Sequence, residues 1–314
     1  MLLTTQPRTT RSTAPLPPRE LQARYQRGEN ITALLRAAGE RSANDEHAIE
    51  VSYDLQAGSY VECLRNEANA AAQDAYGAEV AKTIRSLCRP ASVLEAGVGE
   101  ATTLSRVMEN LHEPGTRFAG FDISWSRVAV AQRWLAERCL SKVLLCTGSL
   151  FQIPFAENSI DVVYTSHSME PNGGREREIM CELYRIARRY LVLLEPAYEL
   201  ATPEGKQRME RHGYCRGIRQ TCHELGFNLV EHRLFACQMS SVNPTALTIV
   251  EKPATSPPVA ELLACPRYKT PLLRRGDVYF SPEALAVYPI LAGIPCLRVE
   301  NAIVASKWPE FTSE

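Results

Sequence analysis

Apolar positions along this chain alternate between two patterns. Short runs such as Phe118-Ala119-Gly120-Phe121, Val143-Leu144-Leu145-Cys146, Val162-Val163-Tyr164 and Leu191-Val192-Leu193-Leu194 have the length of buried strands. Between them lie segments with apolar residues three and four apart. Ser126–Arg138 turns Val128, Ala131 and Leu135 inward, and Arg175–Arg189 does the same with Ile179, Leu183 and Ile186. Arg216–Leu225 reads as a further helix closed by Gly226. Asn228–Phe235 and Ala246–Lys252 then follow as a hairpin-like strand pair. Strands alternating with helices, ending in such a pair, predict an α/β fold with a doubly wound seven-stranded sheet. Ligands of such sheets bind outside the carboxyl ends of the strands, where the loops after residues 97, 122, 148, 166 and 195 emerge.

The flanks differ. Residues 1–17 are rich in Thr, Pro and Arg and read as a disordered tail. Residues 18–88 read as an N-terminal helical cap, with helices expected at Arg19–Arg27 and at Ile31–Ala38, where Asn30 is the N-cap. The sheet domain spans 89–253, and Thr255-Ser256-Pro257-Pro258 marks a linker over 254–258. Residues 259–314 form a small β-rich domain and tail.

Composition narrows the class. With 314 residues, 45% hydrophobic and 23% charged, the chain can bury a full core. A net charge of −1 argues against a phosphate-backbone binder. No apolar run reaches the roughly 18 residues of a membrane helix. The ten cysteines form no C-x-x-C pair, which points to reduced thiols and a cytoplasmic protein.

The chemistry is expected around Val93-Leu94-Glu95-Ala96-Gly97-Val98-Gly99-Glu100-Ala101-Thr102. A strand ends in a carboxylate, passes two glycines and opens into a helix, which aims backbone N–H groups at a ligand. A dinucleotide turn wants Gly-x-Gly-x-x-Gly/Ala, yet the sixth position is Thr102. The carboxylate of Glu95, two residues before Gly97, would repel a pyrophosphate but pair with an ammonium group. That favours S-adenosylmethionine (SAM) over a nicotinamide dinucleotide. Asp122, at the end of the next strand and 23 residues after Gly99, can accept ribose hydroxyls in either case.

On these motifs residues 45–253 resemble the class I SAM-dependent methyltransferases. The third glycine common in that family's turn is Ala101 here. The resemblance implies a cofactor site built by Tyr53, Tyr60, Glu95, Gly97, Gly99, Asp122, Ile123, Ser149, Leu150 and Ser166. Tyr53 or Tyr60, in Tyr53-Asp54 through Tyr60, would be a lid aromatic, or these tyrosines simply pack a helix on the sheet. In the family an acid stands where this chain has Ser149 and bonds the adenine amine, so adenine would rest on the backbone near Leu150 and on apolar walls.

For the methyl acceptor, candidates on the same rim are His167, Glu170, Glu195, Tyr198 and the Arg211–Cys215 segment. His167, Glu195 and His212 are the candidate bases. No Asn-Pro-Pro-Tyr motif appears, which counts against planar amide acceptors. Asp161 stands at the wrong end of its strand to build a metal site, and no catalytic metal is expected.

Residues 259–300 resemble the activator subunit shared by several tRNA and translation-factor methyltransferases, through Leu262-Leu263-Ala264-Cys265-Pro266 and Tyr288-Pro289-Ile290-Leu291-Ala292-Gly293-Ile294-Pro295. Zinc-binding versions need four N or S ligands; here Cys265 lacks its partner, Tyr268 standing in that place. The module would then act in cis as a stabiliser, compatible with a homodimer. The reading is a methyltransferase acting on O or N of a small-molecule or glycan-type metabolite. Its alternatives are a methyltransferase of tRNA, rRNA or protein, and a SAM-binding scaffold without turnover.

Overall fold

The computed structural model describes residues 16–39, 43–254 and 257–311. Most of the expected tail at 1–17, and residues 255 and 256 of the linker, lie outside them. Five helices come first: α1 (Pro18–Gln26), α2 (Ile31–Ala38), α3 (Glu46–Leu55), α4 (Ser59–Cys63) and α5 (Glu67–Leu87). Side-chain caps start three of them. Asn30 Oδ1 accepts from the Ala33 N–H at 3.0 Å, Asp45 from Ala48 at 2.7 Å, and Asn66 from Ala68 and Asn69.

The sheet domain follows as β1 (Ser92–Ala96), α6 (Thr102–Leu111), β2 (Arg117–Asp122), α7 (Trp125–Glu137), β3 (Val143–Thr147), β4 (Ile160–Ser166), α8 (Glu176–Ile186) and β5 (Ala187–Pro196). Then come α9 (Pro203–His212), α10 (Ile218–Glu224), β6 (Asn228–Leu234) and β7 (Thr245–Glu251). The seven strands run in the order β3-β2-β1-β4-β5-β7-β6, with β7 antiparallel to both its neighbours. The doubly wound sheet expected from the alternating pattern is thus present. The order reverses at β1, between β2 and β4, which opens a crevice at their carboxyl ends.

Strand alternation sorts the core into two layers. Leu94, Phe121, Val163, Leu191 and Leu193 join α8 and α10 on one face; Val93, Val162, Tyr164, Val192 and Leu194 join α5, α6 and α7 on the other. Two boundaries differ from the sequence pattern. The helix expected over 175–189 stops at Ile186, because Ala187 takes an extended conformation (ψ 135°) and pairs with Ile160. The stretch between β5 and α10, read as an insertion, contains α9, capped by Thr202 and closed by Gly213 (φ +69°).

Past the linker, β8 (Leu273–Arg275), β9 (Val278–Ser281), β10 (Ala286–Leu291), β11 (Ile294–Pro295) and β12 (Ile303–Val304) make a small antiparallel sheet. It is no detached bead: Leu262, Leu263, Cys265, Tyr288 and Leu297 belong to the same buried cluster as the main sheet. Its backbone also lies along β3 and the loop after it. Cys296 bridges Thr147, the Leu297 N–H donates to the Thr147 carbonyl (3.3 Å), and Ala156 and Ala264 bond to Leu262 and Pro154 (2.8 and 3.0 Å).

Candidate functional site

The turn after β1 is shaped by glycine where side chains are excluded. Gly97 has φ +74°, and a Cβ there would lie 2.2 Å from the Cβ of Ser168 in the loop after β4. Its N–H and that of Val98 donate to the Phe121 carbonyl at 2.9 and 2.8 Å, tying the turn to β2. Ala101, in the place of the family's third glycine, holds φ +56°, a left-handed conformation that costs a non-glycine residue about 1–2 kcal/mol.

A cavity opens above this turn, enclosing about 860 Å³ of empty space including its mouth. Tyr53, Tyr60, Glu95, Gly97, Gly99, Asp122, Ile123, Leu150 and Ser166 line it, as does His167. Of the expected cofactor residues Ser149 alone is not in the wall, though its neighbours Gly148 and Leu150 are.

Charge in the cavity is arranged in pairs. Glu95, 2% exposed, accepts from the Tyr164 hydroxyl at 3.0 Å, and burial pushes its carboxyl up to about 8. Asp122 accepts from the Gly99 N–H and the Ser124 N–H, both at 2.9 Å; burial raises its pKa, with the Arg127 guanidinium opposing. Arg127 is 4% exposed, lies over the rings of Tyr60 (4.1 Å) and Tyr53 (4.9 Å), and has its Nε and Nη2 without hydrogen-bond partners. Nη2 lies 3.8 Å from Glu100 Oε1, an ion pair that keeps the guanidinium charged, and the donors left without hydrogen bonds fit a ligand rich in acceptors, such as a ribose or a carboxylate.

Two residues that the sequence pattern does not single out complete the site. Glu100, in the turn itself, accepts from the N–H groups of Gly58, Tyr60 and Val61 at 3.0, 3.4 and 2.8 Å. That fixes the start of α4, which carries Tyr60, onto the turn, a link that spacing alone cannot show. Glu46, the first residue of α3, lines the cavity and shares a hydrogen bond with the Ser149 hydroxyl. The carboxylate missing at position 149 is therefore present in space, delivered from a helix 103 residues earlier. Asp54 anchors the far end of α3 through the Ser124 hydroxyl (2.7 Å) and through Ser126.

The three candidate bases part company. His167 has φ +57° and both ring nitrogens engaged, Nδ1 with Glu170 at 2.6 Å and Nε2 with the Thr245 hydroxyl at 2.8 Å. Burial lowers its pKa, but the Glu170 carboxylate outweighs that and holds it above the usual histidine range. Glu195 is outside the cavity wall. Its Oε1 accepts from the backbone of Ser168 and Met169 (3.2 and 3.1 Å), and burial lifts its carboxyl to about 7. His212, at the end of α9, lines a second cavity instead. Burial first, then Arg208, Arg36 and Arg211, push its pKa below the usual value. This second cavity shares Tyr53 and Pro171 with the first.

Residues 93–189 match the family model described as a methyltransferase domain. This stretch of the chain is a methyltransferase domain. No curated protein matches it in sequence. Among solved structures, the magnesium protoporphyrin IX methyltransferase from Synechocystis PCC 6803, with bound SAH, is 16% identical over 66% of this chain and 100% of its own, with a TM-score of 0.51. A SAM-dependent methyltransferase from Aquifex aeolicus is 15% identical over 51% and 81% (TM-score 0.40). The geranyl diphosphate C-methyltransferase from Streptomyces coelicolor is 11% identical over 51% and 70% (TM-score 0.41). At these identities the likeness concerns the fold. The Synechocystis enzyme holds SAH on this fold, and SAM, where a methyltransferase uses it, supplies an electrophilic methyl group. No helix among the described residues is long and apolar enough to cross a membrane.

Proposed function

We propose that this methyltransferase acts on oxygen or nitrogen of a small-molecule or glycan-type metabolite. The observation that carries this reading is the second cavity, about 820 Å³ with its mouth, lined by residues of α2, α3 and the end of α9 and adjoining the first at Tyr53 and Pro171. A pocket roofed by helices suits a compact acceptor better than a nucleic acid, which needs an open charged groove.

In this reading the first cavity holds SAM. Glu95 pairs with the amino group, Asp122 accepts from the ribose, and Arg127 donates to its oxygens. Glu46 takes the adenine amine in place of the acid lost at Ser149. His212 is the base: its lowered pKa leaves the ring neutral near pH 7, ready to take a proton from the acceptor. His167, with both nitrogens in use, orients the loop after β4. Glu195 supports that loop from below.

The module at 259–300 acts in cis as a stabiliser, a reading supported by its apolar residues in the shared core and its contacts along β3.

Isothermal titration of SAM and SAH, with Asp122→Ala as control, tests the first cavity. A screen of cell metabolites with labelled SAM tests the second. Micromolar SAM binding lost in the variant, with label entering small metabolites, is expected. Label entering RNA or protein instead would overturn the acceptor reading, and binding without any transfer would favour the scaffold.

A further inference from the structure

Charge around the second cavity is one-sided. Arg36 lines it, and its guanidinium donates to the Asn44 side chain (3.1 Å) and to the carbonyls of His212 and Arg211 (both 3.2 Å). Arg208 lies over Tyr214, which also lines the cavity, at 5.6 Å, and its Nη1 is buried without a hydrogen-bond partner. Arg211 is exposed, and its charge acts on the His212 ring together with those of Arg208 and Arg36. No ion pair joins any of these three arginines to a carboxylate among the described residues.

The nearby acids are already matched. Glu29, in the same wall, pairs with Arg27 (2.9 Å) and Arg24 (3.6 Å). Glu170 is held by His167 (2.6 Å) and by the Asn243 amide (2.9 Å). What remains is positive charge without a matching carboxylate at the mouth of this half-open pocket, Arg36 in its wall and Arg208 behind Tyr214. Guanidinium groups recognise planar or tetrahedral anions by paired N–H donation, and partial burial strengthens the attraction.

We propose that the second cavity holds the acceptor by an anionic group, a carboxylate or a phosphate, drawn in by Arg36, Arg208 and Arg211. The opposite end of the acceptor then faces the shared wall at Tyr53 and Pro171. This rests on the acceptor reading above, but the anion site is measurable without turnover.

The probes are phenyl phosphate and benzoate, titrated calorimetrically into the SAH-loaded full-length protein, with benzyl alcohol as the neutral control. Saturable binding of at least one anion is expected, weakening as salt rises, with no saturation by benzyl alcohol. Arg208→Gln and Arg211→Gln should each weaken anion binding about 5-fold or more, SAH affinity staying within about twofold. Arg36→Gln should weaken it further, and because Arg36 also caps α9, the Arg208 and Arg211 variants keep the test open if that protein does not fold. Tighter binding of phenyl phosphate identifies a phosphorylated acceptor, and tighter binding of benzoate a carboxylated one. Equal binding of benzyl alcohol, no saturation by either anion, or variants that bind like the wild type would overturn the proposal. If SAH itself does not bind, the methyltransferase reading fails, and the same titration of the free protein still decides the anion site.

Discussion

The two cavities meet at Tyr53 and Pro171 but are built on different principles. The first is floored by the ends of β1, β2 and β4, and most of its walls come from turns directly after those strands. The second is assembled from α2, α3 and the end of α9, elements some 175 residues apart in sequence, as the bonds from Arg36 to Arg211 and His212 show. A floor of hydrogen-bonded strand ends is rigid and sets which cofactor fits. A wall of short, individually marginal helices can change with few constraints, so the acceptor side is where relatives with one fold can diverge.

The largest expected effect separates the two cavities outright. Gly97→Val puts a branched side chain into Ser168 and into a left-handed φ, and should abolish SAM binding at millimolar ligand with the far-UV spectrum retained. Phenyl phosphate or benzoate binding in the second cavity should persist. Loss of both would mean that the cavities are one cooperative unit. Next, once an acceptor is in hand, His212→Asn should lower kcat about 100-fold with SAM affinity unchanged. The wild-type rate should be flat at neutral pH and fall only below the ordinary histidine range, because His212's pKa is lowered. If His167→Ala abolishes turnover and His212→Asn does not, the roles are reversed.

A smaller effect tests the join between α3 and the sheet. Glu46→Ala should weaken SAH binding about 10-fold, the loss of one charge-assisted hydrogen bond. Adding Ser149→Asp should restore most of it. An affinity unmoved by Glu46→Ala removes that residue from the site. The mildest effect concerns pH. Glu95 and Glu195 have folded pKa values near 8 and 7 against an ordinary 4.5. Carboxyls raised on folding favour the protonated native state, so ligand-free stability should fall as pH rises from about 4.5 to 8. Bound SAM, by placing an ammonium beside Glu95, should flatten the upper part of that slope. Thermal melts of the free and SAM-bound protein, and of Glu95→Gln, measure it; identical slopes in all three would count against the Glu95–ammonium pairing.

Legibility followed the same divide. Glu95, Gly97 and Gly99 announce themselves because a strand, a turn and a helix start lie within a dozen residues, and Asp122 because it ends the very next strand, so local spacing carries the geometry. Glu100 and Glu46 could not be read this way. The first acts on the backbone of Gly58 and Val61, the second on Ser149, and nothing in a linear pattern says which distant carboxylate will arrive there. Ser149 read in isolation looks like a lost acid; in space it has gained one. His167 misleads for the opposite reason: its position after β4 faces the cavity, yet Glu170 and Thr245 occupy both of its nitrogens. Glu195 stands at a strand end as expected, but the backbone of Ser168 and Met169 lies across it.

The backbone contacts that run from Thr147 to Cys296 and Leu297 have a consequence in time rather than in space. Strand β3 is the outermost strand of its side of the sheet, and its cover is made about 150 residues after it leaves the ribosome. At synthesis rates of about 5–20 residues per second, that interval is on the order of ten seconds. Throughout it the carboxyl end of β3 lacks its backbone partner and the seat of Leu297 is empty. A chain truncated before Cys296 should therefore aggregate more readily than the full-length protein, which light scattering of the two at equal concentration measures.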